Sequence, residues 1–99
     1  MKSLQAPPIR HERAQGRGEF VMERDGVRVG ELTYTLAGAR MTILHTEVSP
    51  TLRGSGAAAR LLESAVQWAR AEDLKIASRC SYASAVLART PAYADVRSG

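Results

Sequence analysis

The sequence has little of several features that would place it in well-known protein classes. It contains a single cysteine, Cys80, so an internal disulfide is excluded. No apolar run approaches the roughly 20 residues that cross a bilayer, and the N-terminus lacks the apolar segment of a secretory signal. These absences predict a cytoplasmic protein with no membrane partner.

Aromatic residues are scarce, and basic residues do not form runs. Only 5% of the chain is aromatic, and the net charge of +4 comes from arginines spread along the chain. Nucleic-acid binding proteins more often cluster basic residues on one face or stripe. The pattern disfavours nucleic acid as a partner. A basic interaction protein that binds nucleic acid stays open as an alternative to the functions considered below.

What is present indicates one α+β domain. A chain of 99 residues suits a single core, and a hydrophobic content of 44% is typical of globular proteins. Residues 1–8 contain two prolines and little to bury, so they are predicted to form a flexible tail. Residues 9–99 are predicted to form the domain.

The front half of that domain is predicted to be an antiparallel meander. Its four expected strands are 9–13, 19–24, 27–36 and 41–48. The second and third strands form a hairpin because Asp25 and Gly26 both tolerate a positive φ. The last strand is recognised by its alternation of apolar and polar residues, and Pro50 ends it.

The back half is predicted to be a β-α-β unit with a final helix. Residues 55–71 carry apolar side chains at helical spacing, and residues 74–80 form the next strand. Because a helix separates this strand from residues 41–48, the two are expected to run parallel. Residues 82–89 form a short helix that ends before Pro91.

The loop that joins the fourth strand to the first helix is rich in glycine. Gly54 and Gly56 allow a sharp turn and leave no Cβ to obstruct a ligand. The first turn of the helix carries no acid, so its free amides can meet a phosphate or pyrophosphate. An ordinary tight turn with Arg53 in solvent is the alternative.

Several common sites do not fit the sequence. No Gly-Lys-Ser/Thr follows the glycines, as a P-loop requires, and no acid lies about 20 residues on at a strand end, as a dinucleotide fold requires. The two histidines and the cysteine lie far apart, so no metal is predicted. Ser55 and Ser81 lack the setting of a hydrolase nucleophile.

Three segments carry a family resemblance: His45-Thr46-Glu47-Val48, Leu52-Arg53-Gly54-Ser55-Gly56, and Cys80-Ser81-Tyr82 with Pro91-Ala92-Tyr93. The second segment resembles motif A of the GNAT superfamily of acyl-coenzyme A dependent N-acetyltransferases, with Thr51 as a departure in the Gln/Arg position. Together they resemble the small, stand-alone GNAT-like group over residues 9–96. Ser81, Thr90 and Ala92 depart from that group's usual residues.

The resemblance implies a truncated GNAT-like fold and acetyl-coenzyme A as cosubstrate. In that fold the two parallel strands splay apart and the pantetheine arm enters between them. The implied cofactor-binding residues are Val48, Leu52, Arg53, Gly54, Ser55, Gly56, Ala57 and Ala58.

Four side chains near the implied cleft are candidates for the chemistry. His45 and Glu47 lie two apart on a strand and share a face, so either could take a proton from an incoming ammonium. Alternatively, His45 is a hydrogen-bonded structural residue and Glu47 a solvated or ion-paired residue of the sheet. Cys80 could carry the acetyl group in a ping-pong route, or could be a buried small hydrophobe. Tyr82 matches the tyrosine that often protonates the departing sulfur in GNAT enzymes, or is a core aromatic.

The predicted function is therefore acetyl transfer from acetyl-coenzyme A to an amine. A coenzyme A binding or sensing module without turnover is the alternative, and the missing front helices of the larger fold favour it. The sequence does not select between a protein and a small-molecule acceptor. A short domain with an edge strand would allow pairing with a second copy.

Overall fold

The structure, a computed structural model, describes residues 7–98 as one mixed sheet with two α-helices and two short 3₁₀ helices, Pro50–Leu52 and Pro91–Val96. The strands are adjacent in chain order: β1 (Ile9–Ala14), β2 (Arg17–Arg24), β3 (Val27–Ala37), β4 (Arg40–Val48) and β5 (Lys75–Ser78). The helices are α1 (Ala57–Ala71) and α2 (Ser81–Arg89). Strands β1 to β4 are antiparallel, and β5 lies parallel to β4. The predicted α+β architecture is confirmed.

The hairpin between β2 and β3 turns as its two central residues predict. Asp25 has a φ of 53° and Gly26 a φ of 78°, so both are left-handed. This backbone twist matches the twist of the flanking strands, which is why such turns join short hairpins. The meander therefore follows from local turn chemistry.

Helix α1 buries one face against the sheet. Leu61, Ala65 and Ala69 recur on that face, and all three are fully buried. They share one core with Met22 and Ile43 of the sheet. Burying a leucine or isoleucine side chain contributes about 1.5–3 kcal/mol, so this contact holds α1 against the sheet.

The chain packs against the domain already at Pro7, before the first strand. Pro7 is buried, and its carbonyl accepts a hydrogen bond of 3.0 Å from Arg60 Nη1. Packing thus includes a residue of the predicted tail 1–8. Residues 1–6 of that prediction lie outside the described residues.

A β-bulge in β4 changes which side chains face the helices. Thr33 pairs with His45 but Tyr34 pairs with Ile43, so Leu44 is an extra residue. Before the bulge Ile43 is buried towards α1, whereas after it Thr46 occupies that side. His45 consequently lies on the face opposite α1, here called the far face of the sheet.

Strands β4 and β5 pair over a short length and then separate. Their register runs from Arg40 with Lys75 to Ile43 with Ser78, and the Arg79 amide donates to the Ile43 carbonyl at 2.8 Å. The predicted strand 74–80 is therefore too long at both ends. The chain leaves the sheet at Arg79 because it turns into α2.

The start of α1 is also later than the predicted residue 55. A 3₁₀ turn, Pro50–Leu52, follows β4, and the helix begins at Ala57. Gly54 and Gly56 have φ values of 81° and 86°, which no right-handed helix can include. Within residues 7–98, neither helix is long and apolar enough to cross a membrane.

Candidate functional site

A cleft of about 440 Å³ opens between the end of β4 and the start of α1. Its walls come from β4, the glycine loop, the first turn of α1 and one residue of α2. The lining residues are Thr46, Glu47, Val48, Leu52, Arg53, Gly54, Gly56, Ala57, Ala58, Ala59 and Tyr82. Every predicted cofactor-binding residue is among them except Ser55, whose hydroxyl instead donates to the Leu52 carbonyl at 2.5 Å.

The glycine loop leaves the entrance of the cleft open. In the described part of the chain, no atom beyond the glycine and its two chain neighbours lies within 4 Å of the position that a Cβ on Gly54 or Gly56 would take. Both residues are left-handed, so glycine is needed there for the backbone conformation rather than for lack of space. The bare backbone lets a ligand approach the loop closely.

The N-terminus of α1 presents hydrogen-bond donors to the cleft. The first helical bond runs from the Arg60 amide to the Gly56 carbonyl at 3.0 Å, so the amides of Ala57, Ala58 and Ala59 precede the helical ladder. Among the described residues no side chain caps this end, and its first turn contains no acid. The helix dipole therefore favours an anion at this position.

A second group of polar side chains lies on the far face beside the cleft. As the two-residue spacing predicts, His45 and Glu47 share this face, and Glu31 of β3 joins them. One ligand atom from each of the three lies within 4.8 Å of the others. We call Glu31, His45 and Glu47 the far-face cluster.

Glu31 is the member of this cluster that the sequence did not indicate. Its Oε2 lies 3.0 Å from His45 Nε2, and its Oε1 accepts from Arg28 Nη1 at 2.9 Å. Hydrogen bonds from His45 and then from Arg28 hold the pKa of the Glu31 carboxyl below its usual value. The only signal for it would have been the β3–β4 register, which opposes Glu31 to Glu47.

The far-face cluster also has the spacing of a metal site, which the separation of histidines and cysteine along the chain did not suggest. Both oxygens of Glu31 are already hydrogen-bonded, one to Arg28 and one to His45. Each oxygen thus accepts one hydrogen bond and has a further lone pair available.

A groove of about 420 Å³ runs alongside the far-face cluster and continues into the cleft. Glu31 and Glu47 line it together, and Glu47, Val48 and Arg53 line both the groove and the cleft. Arg28 and Arg53 also line the groove, so its charged side chains are of both signs. Glu47 therefore stands at the junction of the two spaces.

Cys80 lies beside the cleft but is buried. Its thiol donates to Thr46 Oγ1 at 3.7 Å, and Thr46 is the residue that faces the cleft. Burial alone raises the pKa of this thiol, but the thiolate form can accept hydrogen bonds from the amides of Ala83 and Tyr82 and from Thr46, and these lower the pKa overall. Within residues 7–98, Cys80 is not part of the cleft wall.

Tyr82 lines the cleft from the first turn of α2. It is half-buried, and this burial raises the pKa of its hydroxyl. The hydroxyl therefore stays protonated through the neutral range and can donate a proton. Of the four predicted catalytic residues, Glu47 and Tyr82 line the cleft, and the Glu47 carboxylate lies with His45 on the far face.

Comparison with known proteins identifies the relatives of this chain. A family model described as GCN5-related N-acetyl-transferase matches residues 19–96. No curated protein matches the chain. Among solved structures, a GCN5-like protein from Staphylococcus aureus has a TM-score of 0.72 and 30% identity, over 91% of this chain and 88% of its own.

Larger enzymes share the fold over part of their length. A ribosomal-protein-alanine N-acetyltransferase from Brucella melitensis has a TM-score of 0.64 and 16% identity, over 78% of this chain and 62% of its own. An aminoglycoside N-acetyltransferase in complex with CoA has a TM-score of 0.56 and 20% identity, over 66% of this chain and 56% of its own. At these identities the likeness is one of fold.

Proposed function

This chain belongs to the GCN5-related N-acetyltransferase (GNAT) family, and we propose that it binds acetyl-coenzyme A and transfers the acetyl group to an amine. The observation that carries the proposal is the cleft at the start of α1. It joins an anion-binding helix end to a proton donor, Tyr82, and a carboxylate, Glu47. The helix end suits the phosphates of coenzyme A, and acetyl transfer needs one group that takes the amine proton and one that protonates the departing thiolate.

The cleft suits coenzyme A because its two ends differ in chemistry. The amides of Ala57, Ala58 and Ala59 suit the pyrophosphate, and Arg53 adds positive charge beside them. Val48 lies at the other end of the loop and contributes an apolar wall for the pantetheine arm. When bound, acetyl-coenzyme A supplies an activated acetyl group as a thioester.

The acceptor amine must lose a proton before it can attack. Amines are mostly ammonium ions near neutral pH, since a lysine side chain has a reference pKa of about 10.4. Glu47 lines the shared edge of the groove and the cleft, and His45 lies beside it on the far face. These two residues are proposed to bind the ammonium and take its proton.

The departing thiolate must gain a proton, and Tyr82 is proposed to give it. Its hydroxyl is protonated at neutral pH because burial raises its pKa. Direct transfer from thioester to amine is the simpler route, since the Cys80 thiol is buried against Thr46. Transfer through an acetylated Cys80 is the alternative that its lowered pKa supports.

Calorimetric titration with acetyl-coenzyme A and coenzyme A tests the first half of the proposal. A free-thiol release assay over a panel of amines, including a lysine peptide, a protein N-terminus and a polyamine, tests the second half. Binding with amine-dependent thiol release is the expected result. Binding without release would favour a coenzyme A sensing module, and no binding would overturn the proposal.

A further inference from the structure

A chain of hydrogen-bonded charged side chains crosses the far face of the sheet and ends at His45. Arg28 Nη1 donates to Glu19 Oε1 on β2 and to Glu31 Oε1 on β3, each at 2.9 Å. The second oxygen of Glu31 lies 3.0 Å from His45 Nε2 on β4. Glu31 therefore holds Arg28 with one oxygen and His45 with the other.

We infer that Glu31 is a positioning residue that fixes the tautomer and orientation of the His45 ring, so that Nδ1 is the nitrogen that accepts the proton of the acceptor amine. The catalytic part of this inference, that Nδ1 accepts a proton, rests on the proposed function. The ring geometry that it describes is independent of any turnover.

The tautomer follows from the chemistry of the two groups. An ionised carboxylate can only accept hydrogen bonds, so Nε2 must carry the hydrogen in the contact with Glu31. A neutral imidazole has one N–H, and Nδ1 therefore keeps its lone pair. Glu31 stays ionised near neutral pH because His45 and Arg28 both lower the pKa of its carboxyl.

The free nitrogen of His45 is available to a substrate. Thr33 Oγ1 lies 3.4 Å from Nδ1, which is long for a hydrogen bond and easily replaced by an ammonium group. The His45 side chain is 52% exposed, whereas that of Glu31 is 23% exposed. The carboxylate is thus the less exposed partner, and about half of the His45 side chain is open to solvent.

In this arrangement the proton passes from the acceptor ammonium to the His45 ring. The N–H bond of the acceptor ammonium breaks, its electron pair stays on the amine nitrogen, and a new N–H bond forms at His45 Nδ1. The positive charge then lies opposite the Glu31 carboxylate, which itself takes no proton. A carboxylate that orients an imidazole in this way is a general device of acid–base catalysis.

The first test reads the tautomer directly and requires no substrate. Long-range ¹H–¹⁵N NMR of the ¹⁵N-labelled protein distinguishes Nε2–H from Nδ1–H in His45. We expect Nε2–H in the wild type and a mixture in Glu31→Ala. The matched control is Glu23→Ala, which removes a far-face carboxylate that pairs with Arg10 at 2.7 Å and leaves the His45 ring unchanged. An unchanged tautomer in Glu31→Ala would overturn the inference.

The second test asks whether Glu31 acts through His45. Glu31→Ala should lower kcat by about tenfold to a hundredfold, as does loss of a carboxylate behind a ligating histidine, with the KM for acetyl-coenzyme A unchanged. Glu31→Gln keeps an acceptor oxygen for Nε2–H and should recover part of the rate. Adding Glu31→Ala to His45→Ala should cost nothing more, because the interaction is already absent.

The outcomes separate the two proposals. A further loss of kcat in the double variant would show that Glu31 acts independently of His45 and would overturn its positioning role. A wild-type protein that acetylates no amine would sink the proposed function. The NMR result would still decide whether Glu31 sets the His45 tautomer.

Discussion

Thr46 and Cys80 face each other across the gap that opens between β4 and β5, with 3.7 Å between Thr46 Oγ1 and Cys80 Sγ. Backbone pairing of the two strands has already ended at Ile43 and Ser78. This side-chain contact therefore spans the widened part of the sheet, next to the cleft that Thr46 lines.

The first prediction concerns Cys80. Cys80→Ser should retain most of the acetyltransferase activity, because the buried sulfur is turned towards Thr46. The free energy of unfolding should fall by about 1 kcal/mol, a common cost of one core substitution. Steady-state kinetics and urea denaturation measure the two effects. An acetylated Cys80 in the intact mass of the wild type without acceptor, together with an inactive variant, would favour the ping-pong route.

The second prediction concerns Gly54. Gly54→Val should abolish binding of acetyl-coenzyme A, because valine disfavours the left-handed φ of 81° and adds bulk at the cleft. The matched control is Gly38→Val in the β3–β4 turn, where φ is 59° and the surrounding space is equally open. Both variants should lose about 1–2 kcal/mol of stability from the strained backbone.

Calorimetry and urea denaturation of the two glycine variants separate strain from binding. Only the Gly54 variant should lose its affinity, since Gly38 lies away from the cleft. Equal affinity in both variants would show that the loop does not hold the cofactor.

The third prediction concerns Tyr82. Tyr82→Phe should lower kcat by about a hundredfold, within the usual range for loss of a general acid, and leave the KM for acetyl-coenzyme A nearly unchanged. Tyr93→Phe is the control, because Tyr93 is also partly buried against the core but is not part of the described cleft wall. Similar rates for the two variants would remove Tyr82 from the mechanism.

The fourth prediction concerns the pH dependence of stability. His11 stacks on Phe20 with ring centroids 4.0 Å apart, and its Nε2 lies 2.6 Å from the Tyr34 hydroxyl. Burial and then the charge of Arg13 lower the pKa of His11 in the folded protein. The unfolded chain therefore binds the proton first as the pH falls. The free energy of unfolding should decrease below about pH 6.5, the reference value for histidine, until the folded pKa is reached.

Urea denaturation at about pH 7.5 and about pH 5 tests this linkage, since the reference pKa lies between them. The comparison is with His11→Gln, which keeps a polar partner for Tyr34 but cannot take a proton in this range. The wild type should lose more stability on acidification than this variant. An identical loss in both proteins would assign the pH dependence to other groups.

Elements with strong local chemistry were predicted from the sequence. The hairpin at Asp25 and Gly26 follows from two residues that tolerate a positive φ, and α1 follows from its apolar spacing. The end of β4 follows from Pro50, which starts a 3₁₀ turn. The boundaries that were wrong by two residues lie at the start of α1, at the start of β2 and at the end of β5, where the chain enters or leaves regular structure.

Side-chain contacts between different strands could not be predicted from the sequence. Glu31 meets His45 only because the β3–β4 register brings them together, and this register includes a shift at Leu44. Thr46 lines the cleft because the same bulge turns it towards α1. Neither the register nor the bulge has a signal within a few residues of sequence.

The sequence by itself determined the order of strands and helices and the open turn at Gly54 and Gly56, because turn residues, apolar spacing and glycine freedom act over short distances. The tertiary structure decided which side chains share the site. It turned Thr46 towards Cys80 and the cleft, placed Glu31 against His45, and left Ser55 out of the cleft wall. The physical reason is that side-chain direction in a sheet alternates, so one bulged residue exchanges the two faces for everything after it.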